Sequence, residues 1–302
     1  MNDLKRILNF SVYQQAVALV LVSLAFFALL NCIMRMLAPS FDPYVILGYR
    51  SLFTLAFALM ALPFISIKSS GNKTFSRINF FKSVSDFASI PLWVVALSHM
   101  QITQVVSIAF LTPIICAVFA TLSLQDRMSS AKWAACIMGF IGACIIANPD
   151  LQGFNYYSFF VLATCILWAS SGIMMKKLTI RQQHPLIISL YNNGLLTLFT
   201  LPFLIASGRL PNLKEFYLTL AMGLAAFIGN IALAGAYRRT LITNLLPYEY
   251  LKLIFTALFA YVLFGEVITG STIIGSTIIL ASSFYIARRS EKADEMPSQT
   301  RI

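Results

Sequence analysis

Glu249 and Lys252 stand three residues apart in Pro247-Tyr248-Glu249-Tyr250-Leu251-Lys252, inside a run that otherwise carries almost no charge. An ionisable side chain in such a run is costly, so it marks either a site or a charge with a structural partner. A carboxylate beside an ammonium suits the two ends of a zwitterion, amine to Glu249 and carboxylate to Lys252. The same spacing also suits a helical i,i+3 salt bridge that makes both charges tolerable. Tyr248 and Tyr250 flank the acid and offer stacking or cation–π surface, or they anchor the segment at a membrane interface. Asp86 lies in another apolar run and suits a cationic substrate or a coupling proton, with Lys82 one turn earlier as the competing partner. Arg50 reads as a structural charge seeking carbonyls or a carboxylate. Trp93 and Trp168 fall mid-run, where they wall a cavity or simply pack. Asn31, Asn192 and Asn193 are amides able to bond across helices. Arg35 and Lys176, near run ends, are expected to reach out to the interface. The candidate substrate-binding set is therefore Glu249, Lys252, Asp86, Tyr248, Tyr250, Trp93, Trp168, Asn31 and Asn192.

The elements that position these residues follow from composition. The chain is 59% hydrophobic and 11% charged, whereas soluble domains are about a quarter charged. Its apolar runs approach the length that crosses a bilayer. Ten spans are expected, at 14–36, 44–67, 80–98, 103–123, 131–149, 156–177, 185–206, 214–236, 243–264 and 269–287. They are helices, because the runs lack the alternation of a barrel and backbone in lipid must pair with itself. The first run is longer than the apolar core of a removable signal, so it is expected to remain as a span. The net charge of +11 does not imply nucleic acid. With a cytoplasmic N-terminus, seventeen lysines and arginines fall at inside positions and two, Arg209 and Lys214, outside. That is the positive-inside distribution, and it places both termini in the cytoplasm. The five cysteines show no metal-ligand spacing and no disulfide framework. No zinc-protease, phosphate-loop or hydrolase motif is present, so neither an enzyme nor a cofactor is expected.

The chain also repeats itself. Ile102-Thr103-Gln104 reappears 140 positions on as Ile242-Thr243-Asn244, and the register continues without a gap. Phe110 meets Tyr250, Phe119 meets Phe259 and Asp126 meets Glu266. Asp42-Pro43 matches His184-Pro185, and Tyr49-Arg50 matches Tyr191-Asn192. Residues 14–149 and 150–287 form two five-helix repeats, between a terminus at 1–13 and a tail at 288–302. Five is odd, so the second copy enters the membrane inverted, an arrangement that suits a carrier with its site between the halves. Ala131, Ala135, Gly139 and Ala143 recur every four positions, Ser271, Gly275 and Ser283 occupy the same register in the second copy, and both sets read as packing faces.

The pattern resembles the drug/metabolite transporter superfamily in its ten-helix EamA-type branch, over most of the chain. The resemblance rests on Ala28-Leu29-Leu30-Asn31, on Tyr49-Arg50-Ser51-Leu52-Phe53, and on the ends of the halves, Leu124-Gln125-Asp126 and Phe264-Gly265-Glu266. The family pattern at those ends is Gly-Glu, and the first copy departs from it. The resemblance implies an all-α integral membrane protein and secondary transport of a small organic metabolite by alternating access. Amino acids and their derivatives are the leading class. A larger cationic metabolite such as S-adenosylmethionine or another nucleoside conjugate is the second, and a channel is the competing class. The implied partners are the bilayer, the metabolite and a coupling proton or exchange substrate, in a bacterial inner membrane.

The inverted repeat makes a direct prediction. In a cysteine-free background, Ser129→Cys and Thr269→Cys will react with an impermeant thiol reagent from opposite sides of the membrane. Labelling of both from one side would refute the inversion.

Overall fold

The computed structural model describes residues 11–64, 77–100, 102–126, 128–147, 156–181, 183–265 and 270–295, and every regular element among them is helical. The α-helices are α1 (Val12–Leu37), α2 (Pro43–Ala61), α3 (Arg77–His99), α4 (Ile102–Ala109), α5 (Thr112–Leu124), α6 (Ser130–Ala147), α7 (Ser158–Ile180), α8 (Pro185–Ser207), α9 (Leu213–Arg239), α10 (Leu251–Phe264) and α11 (Gly270–Glu295). Short 3-10 helices at Ile242–Asn244 and Leu246–Tyr250 lead into α10. Six helical segments are long and apolar enough to cross a membrane. The other four expected spans fall short for visible reasons. α3 carries Arg77, Lys82 and Asp86, the α4–α5 span is broken, and α6 and α11 have shorter apolar stretches. α11 also continues to Glu295, so part of the expected tail is helix.

Sequence decides the helix ends. Ser11 and Gln14 form a capping box at α1, as do Asn212 and Glu215 at α9; each satisfies orphan N–H donors of a first turn. Asp42 accepts from the Tyr44 N–H and His184 Nδ1 from the Leu186 N–H, each followed by a proline in the first turn. The repeated Asp-Pro and His-Pro dipeptides are thus one capping device used twice. At the other helix ends, Gln125 and Gly265 both take left-handed backbone, with φ of 55° and 66°.

The fourth span, expected to be continuous, breaks at Phe110-Leu111. Pro113 has no N–H and its ring clashes with a carbonyl four residues back. The Ala109 carbonyl accepts instead from Thr112 Oγ1 at 2.7 Å, and the Phe110 carbonyl accepts from the Tyr250 hydroxyl at 3.2 Å. The second copy carries its proline, Pro247, in a 3-10 turn.

The pairing of helices maps onto itself when the halves are exchanged. α1 packs on α9 and α7 on α3; α2 packs on α9 and α8 on α3; α1 packs on α10 and α7 on α5. α2 with α8 and α6 with α11 are pairs that the exchange leaves in place. The ten spans are therefore two five-helix halves about a pseudo-twofold axis. Gly142 and Gly275 let the backbones of α6 and α11 meet, since a Cβ on Gly142 would lie 2.8 Å from the Gly275 carbonyl oxygen. One core cluster, with Ala16, Val20, Cys116, Cys136 and Tyr250, joins α1, α5, α6 and α10 near the Asp126 end. Another, with Leu30, Ile33, Val45 and Met222, fills the Arg209 end.

Left-handed backbone is unfavourable for a residue with a Cβ and free of that penalty for glycine. Gln125→Gly will raise the stability of the purified protein by about 1 kcal/mol, and Gly265→Gln will lower it by about as much. Thermal unfolding in detergent measures both, and equal effects of the same sign would refute the assignment.

Candidate substrate site

α3 carries the central charges. Lys82 Nζ lies 2.7 Å from Asp86 Oδ2, with side-chain exposures of 5% and 22%. The i,i+4 step puts both on one helix face. Arg50 reaches from α2 into electrostatic range of Asp86, and its guanidinium makes no hydrogen bond or ion pair among the described residues. One turn beyond the acid, Ser89 Oγ donates to the Asp86 carbonyl at 2.7 Å and accepts from Trp168 Nε1 at 3.0 Å. Trp168 packs against Trp93 with ring centroids 5.1 Å apart. The structure thus joins Asp86, Trp93 and Trp168 in one cluster and adds Lys82 and Ser89 to it.

Next to this cluster, a narrow cleft with room for about one water opens where α3, α7, α8 and α9 meet. Lys82, Ser189, Asn192, Asn193, Asn230 and Met175 line it. Asn192 Oδ1 accepts from Ser83 Oγ at 3.0 Å, and Asn193 donates to the Ser189 carbonyl at 2.8 Å. Ligand sites for whole metabolites are about 300–1,000 Å³. The cleft is far smaller than that in the conformation described, so the site must open to admit any part of a substrate. Asn230 and Ser89 were not singled out from the sequence. A lone amide in the otherwise apolar α9 run was the available signal for the first.

Other candidates lie elsewhere. Glu249 falls in the 3-10 turn and Lys252 in α10, and they form no ion pair. Glu249 lies in electrostatic range of Lys252, Tyr237 and Cys116, and neither it nor Lys252 is within ion-pair or hydrogen-bond distance of the α3 charges. Tyr248 and Tyr250 are 3% and 2% exposed, so they belong to the core and not to an interface belt or an open wall. The Tyr248 hydroxyl meets that of Tyr13 at 3.0 Å, and the Tyr250 ring occupies the space beside Gly139. Asn31 is exposed on α1 and makes no hydrogen bond among the described residues. Arg35 Cζ lies 4.6 Å from the Phe264 ring centroid. Lys176 does not reach for the interface; it is buried and donates to the Tyr237 and Thr240 carbonyls at the end of α9. Glu266, the family acid of the second copy, lies outside the described residues.

The halves are tied together at the Asp126 end. Asp126 Oδ1 accepts from Thr243 Oγ1 at 2.7 Å and Oδ2 from the Thr243 N–H at 3.2 Å. Lys132 Nζ donates to the same Thr243 hydroxyl at 2.9 Å. Asp126 and Lys132 belong to the first half and Thr243 to the second. This tie was not foreseen, although Asp126 stood out as the acid that ends the first copy.

A membrane-crossing bundle of two twofold-related halves with a polar cluster between them is the architecture of a secondary transporter. The chain belongs to the EamA-like transporter family, which matches it twice, over residues 14–148 and 155–288. The family lies within the drug/metabolite transporter superfamily. A riboflavin transporter of Brucella anthropi is 28% identical, over 67% of this chain and 73% of that protein. Another riboflavin transporter, from Vibrio cholerae, is 30% identical over 54% of this chain and 55% of its own length. An S-adenosylmethionine uptake transporter of Rickettsia conorii is 22% identical but spans 93% of this chain and 95% of that protein. A solved crystal structure superimposes with a TM-score of 0.75 at 15% identity, covering 93% of this chain and 99% of that one. The protein is a multi-pass transporter of small metabolites.

Asp126→Ala will leave the buried Thr243 N–H without its acceptor, at a cost of about 1–3 kcal/mol to the closed end. Cys136 is fully buried one turn along α6 from Lys132. Its labelling by a maleimide will rise several-fold in the variant, while that of Cys165, buried between α7 and α4, stays unchanged. Equal labelling of Cys136 in both proteins would show that the contact does not hold the end closed.

Proposed function

We propose that the chain is a secondary carrier, working by alternating access, for a flat heteroaromatic metabolite with a polar tail, of the riboflavin and S-adenosylmethionine type. The observation that carries this reading is the Trp93–Trp168 pair, hydrogen-bonded through Ser89 to the backbone of Asp86 and about two turns of α7 from the amide-lined cleft at Met175. A ring system stacks on the indoles with about 0.5–1.5 kcal/mol beyond its buried area. The amides of Asn192, Asn193 and Asn230 suit the donor and acceptor edge of such a ring or the hydroxyls of its tail. A free aliphatic amino acid would leave the indole wall unused, so the reading moves from amino acids to their larger conjugates. The names of the relatives support the same size and shape, because a flavin and an adenosine conjugate share a flat, hydrogen-bonding ring. Asp86 supports the second of them specifically, since a sulfonium or ammonium would be drawn to its carboxylate in competition with Lys82.

The proposed setting is a bacterial inner membrane, with the lysine- and arginine-rich Asp126 end and both termini in the cytoplasm. The conformation described, tied at that end by Asp126 and Thr243, is then closed towards the cytoplasm.

Purified protein in liposomes preloaded with the unlabelled compound will take up labelled riboflavin or labelled S-adenosylmethionine saturably. Trp168→Ala will lower that uptake at least about tenfold, equivalent to about 1.4 kcal/mol, at unchanged reconstitution, and Trp168→Phe will retain part of it. Saturable uptake of leucine or alanine that is indifferent to Trp168→Ala would overturn the reading.

A further inference from the structure

We propose that Arg50 is the docking cation for one anionic group, a carboxylate or a phosphate, on the transported metabolite, so that the loaded carrier reorients and the empty one does not. The inference rests on the reading of the α2–α3–α8 cluster as the transport site. The central charges are Arg50, Lys82 and Asp86. Lys82 and Asp86 cancel, and being four residues apart on one helix they move together, so rigid-body rocking leaves the pair intact. Arg50 is the remainder. A guanidinium offers five N–H donors and is always charged, and among the described residues none of these donors has an acceptor. The elements packed on α2 do not supply one. On α3, Asp86 is in electrostatic range but is held by Lys82 at 2.7 Å. On α8, the Asn192 carbonyl is taken by Ser83. On α9, the carboxylate of Glu215 is taken at the far end by Arg209, at 2.9 Å, and by the Asn212 N–H.

Alternating access passes through a closed state in which the site is cut off from both solutions. A bare guanidinium there lacks both water and a counter-charge and costs several kcal/mol. A carboxylate or phosphate on the ligand gives it two parallel hydrogen bonds and cancels the charge. Loading therefore removes the barrier that the empty carrier faces. Carboxylate and phosphate are alike in this chemistry, and the test separates them.

Two matched pairs of probes differ chiefly in the anion: S-adenosylmethionine against its decarboxylated analogue, and riboflavin against riboflavin 5′-phosphate. In thermal-shift titrations of the purified protein, at least one anionic member will bind at least about tenfold tighter than its partner. Arg50→Gln will remove that advantage and Arg50→Lys will keep part of it. Which pair shows the effect identifies carboxylate or phosphate. Equal affinities within each pair that binds, or an advantage that survives Arg50→Gln, would overturn the proposal. A second readout needs no ligand. Dyes at Ser129→Cys and Arg181→Cys, one on each half at the Asp126 end, will switch between their two distances at least about tenfold faster in single empty Arg50→Gln molecules than in single empty wild-type molecules. An empty wild-type carrier that switches as fast as empty Arg50→Gln overturns the proposal, whatever the binding data show. If no probe binds, the assigned substrate class fails, while the distance measurement still decides the role of Arg50.

Discussion

Inside a bilayer a backbone carbonyl freed from its helix must find a donor within the protein. That constraint runs through the middle of this fold. Pro113 breaks the fourth span, and the exposed carbonyls of Ala109 and Phe110 are taken by Thr112 and Tyr250. Tyr250 comes from the other half of the chain, so a local break becomes a contact between the halves. Its ring needs the space that Gly139 leaves on α6, because a Cβ there would overlap it. A proline, a tyrosine and a glycine on three different spans thus form one dependency.

Charge is handled by the same rule. Lys176 spends its ammonium on the last carbonyls of α9, where a cation also suits the helix dipole. Lys132 and Asp126 share the Thr243 hydroxyl, and Lys82 covers Asp86. Buried charges with partners fix geometry, and those without them are where a ligand has something to supply.

The all-helical membrane fold was legible because its signals are long and redundant. Apolar run lengths, the basic loops and the register from Ile102 to Asp126 all agree. Asp42-Pro43 and His184-Pro185 stood out as matching pieces of the repeat, and the structure adds that each caps a helix. The site was only partly legible. Asp86, Trp93 and Trp168 stood out as rare residue types in apolar runs. Glu249 and Lys252 stood out in the same way, yet they form no ion pair with each other, because spacing alone does not fix where two long side chains point. Tyr248 and Tyr250 misled for a related reason: their residue type suits an interface as well as a core, and only packing separates the two. The Asp126–Thr243 contact joins residues 117 positions apart, which no local pattern encodes.

The two halves are copies, but their ends are not equivalent. Perfect inverted copies would make the inward-open and outward-open forms equivalent by a twofold rotation and equal in free energy. Here Gln125 occupies the left-handed position that glycine holds in the second copy. Lys132 has Thr272 at its repeat position, so a mirrored tie at the other end would lack its cation. In the proposed alternating-access cycle, these differences make the two facings unequal in free energy. For a carrier driven only by its substrate's gradient, such a tilt cannot alter the final distribution across the membrane. It can only make the half-saturation concentrations on the two faces unequal, with a compensating difference in maximal rates. The direction in which the protein works best at low substrate is in that sense written into a single turn at the end of α5.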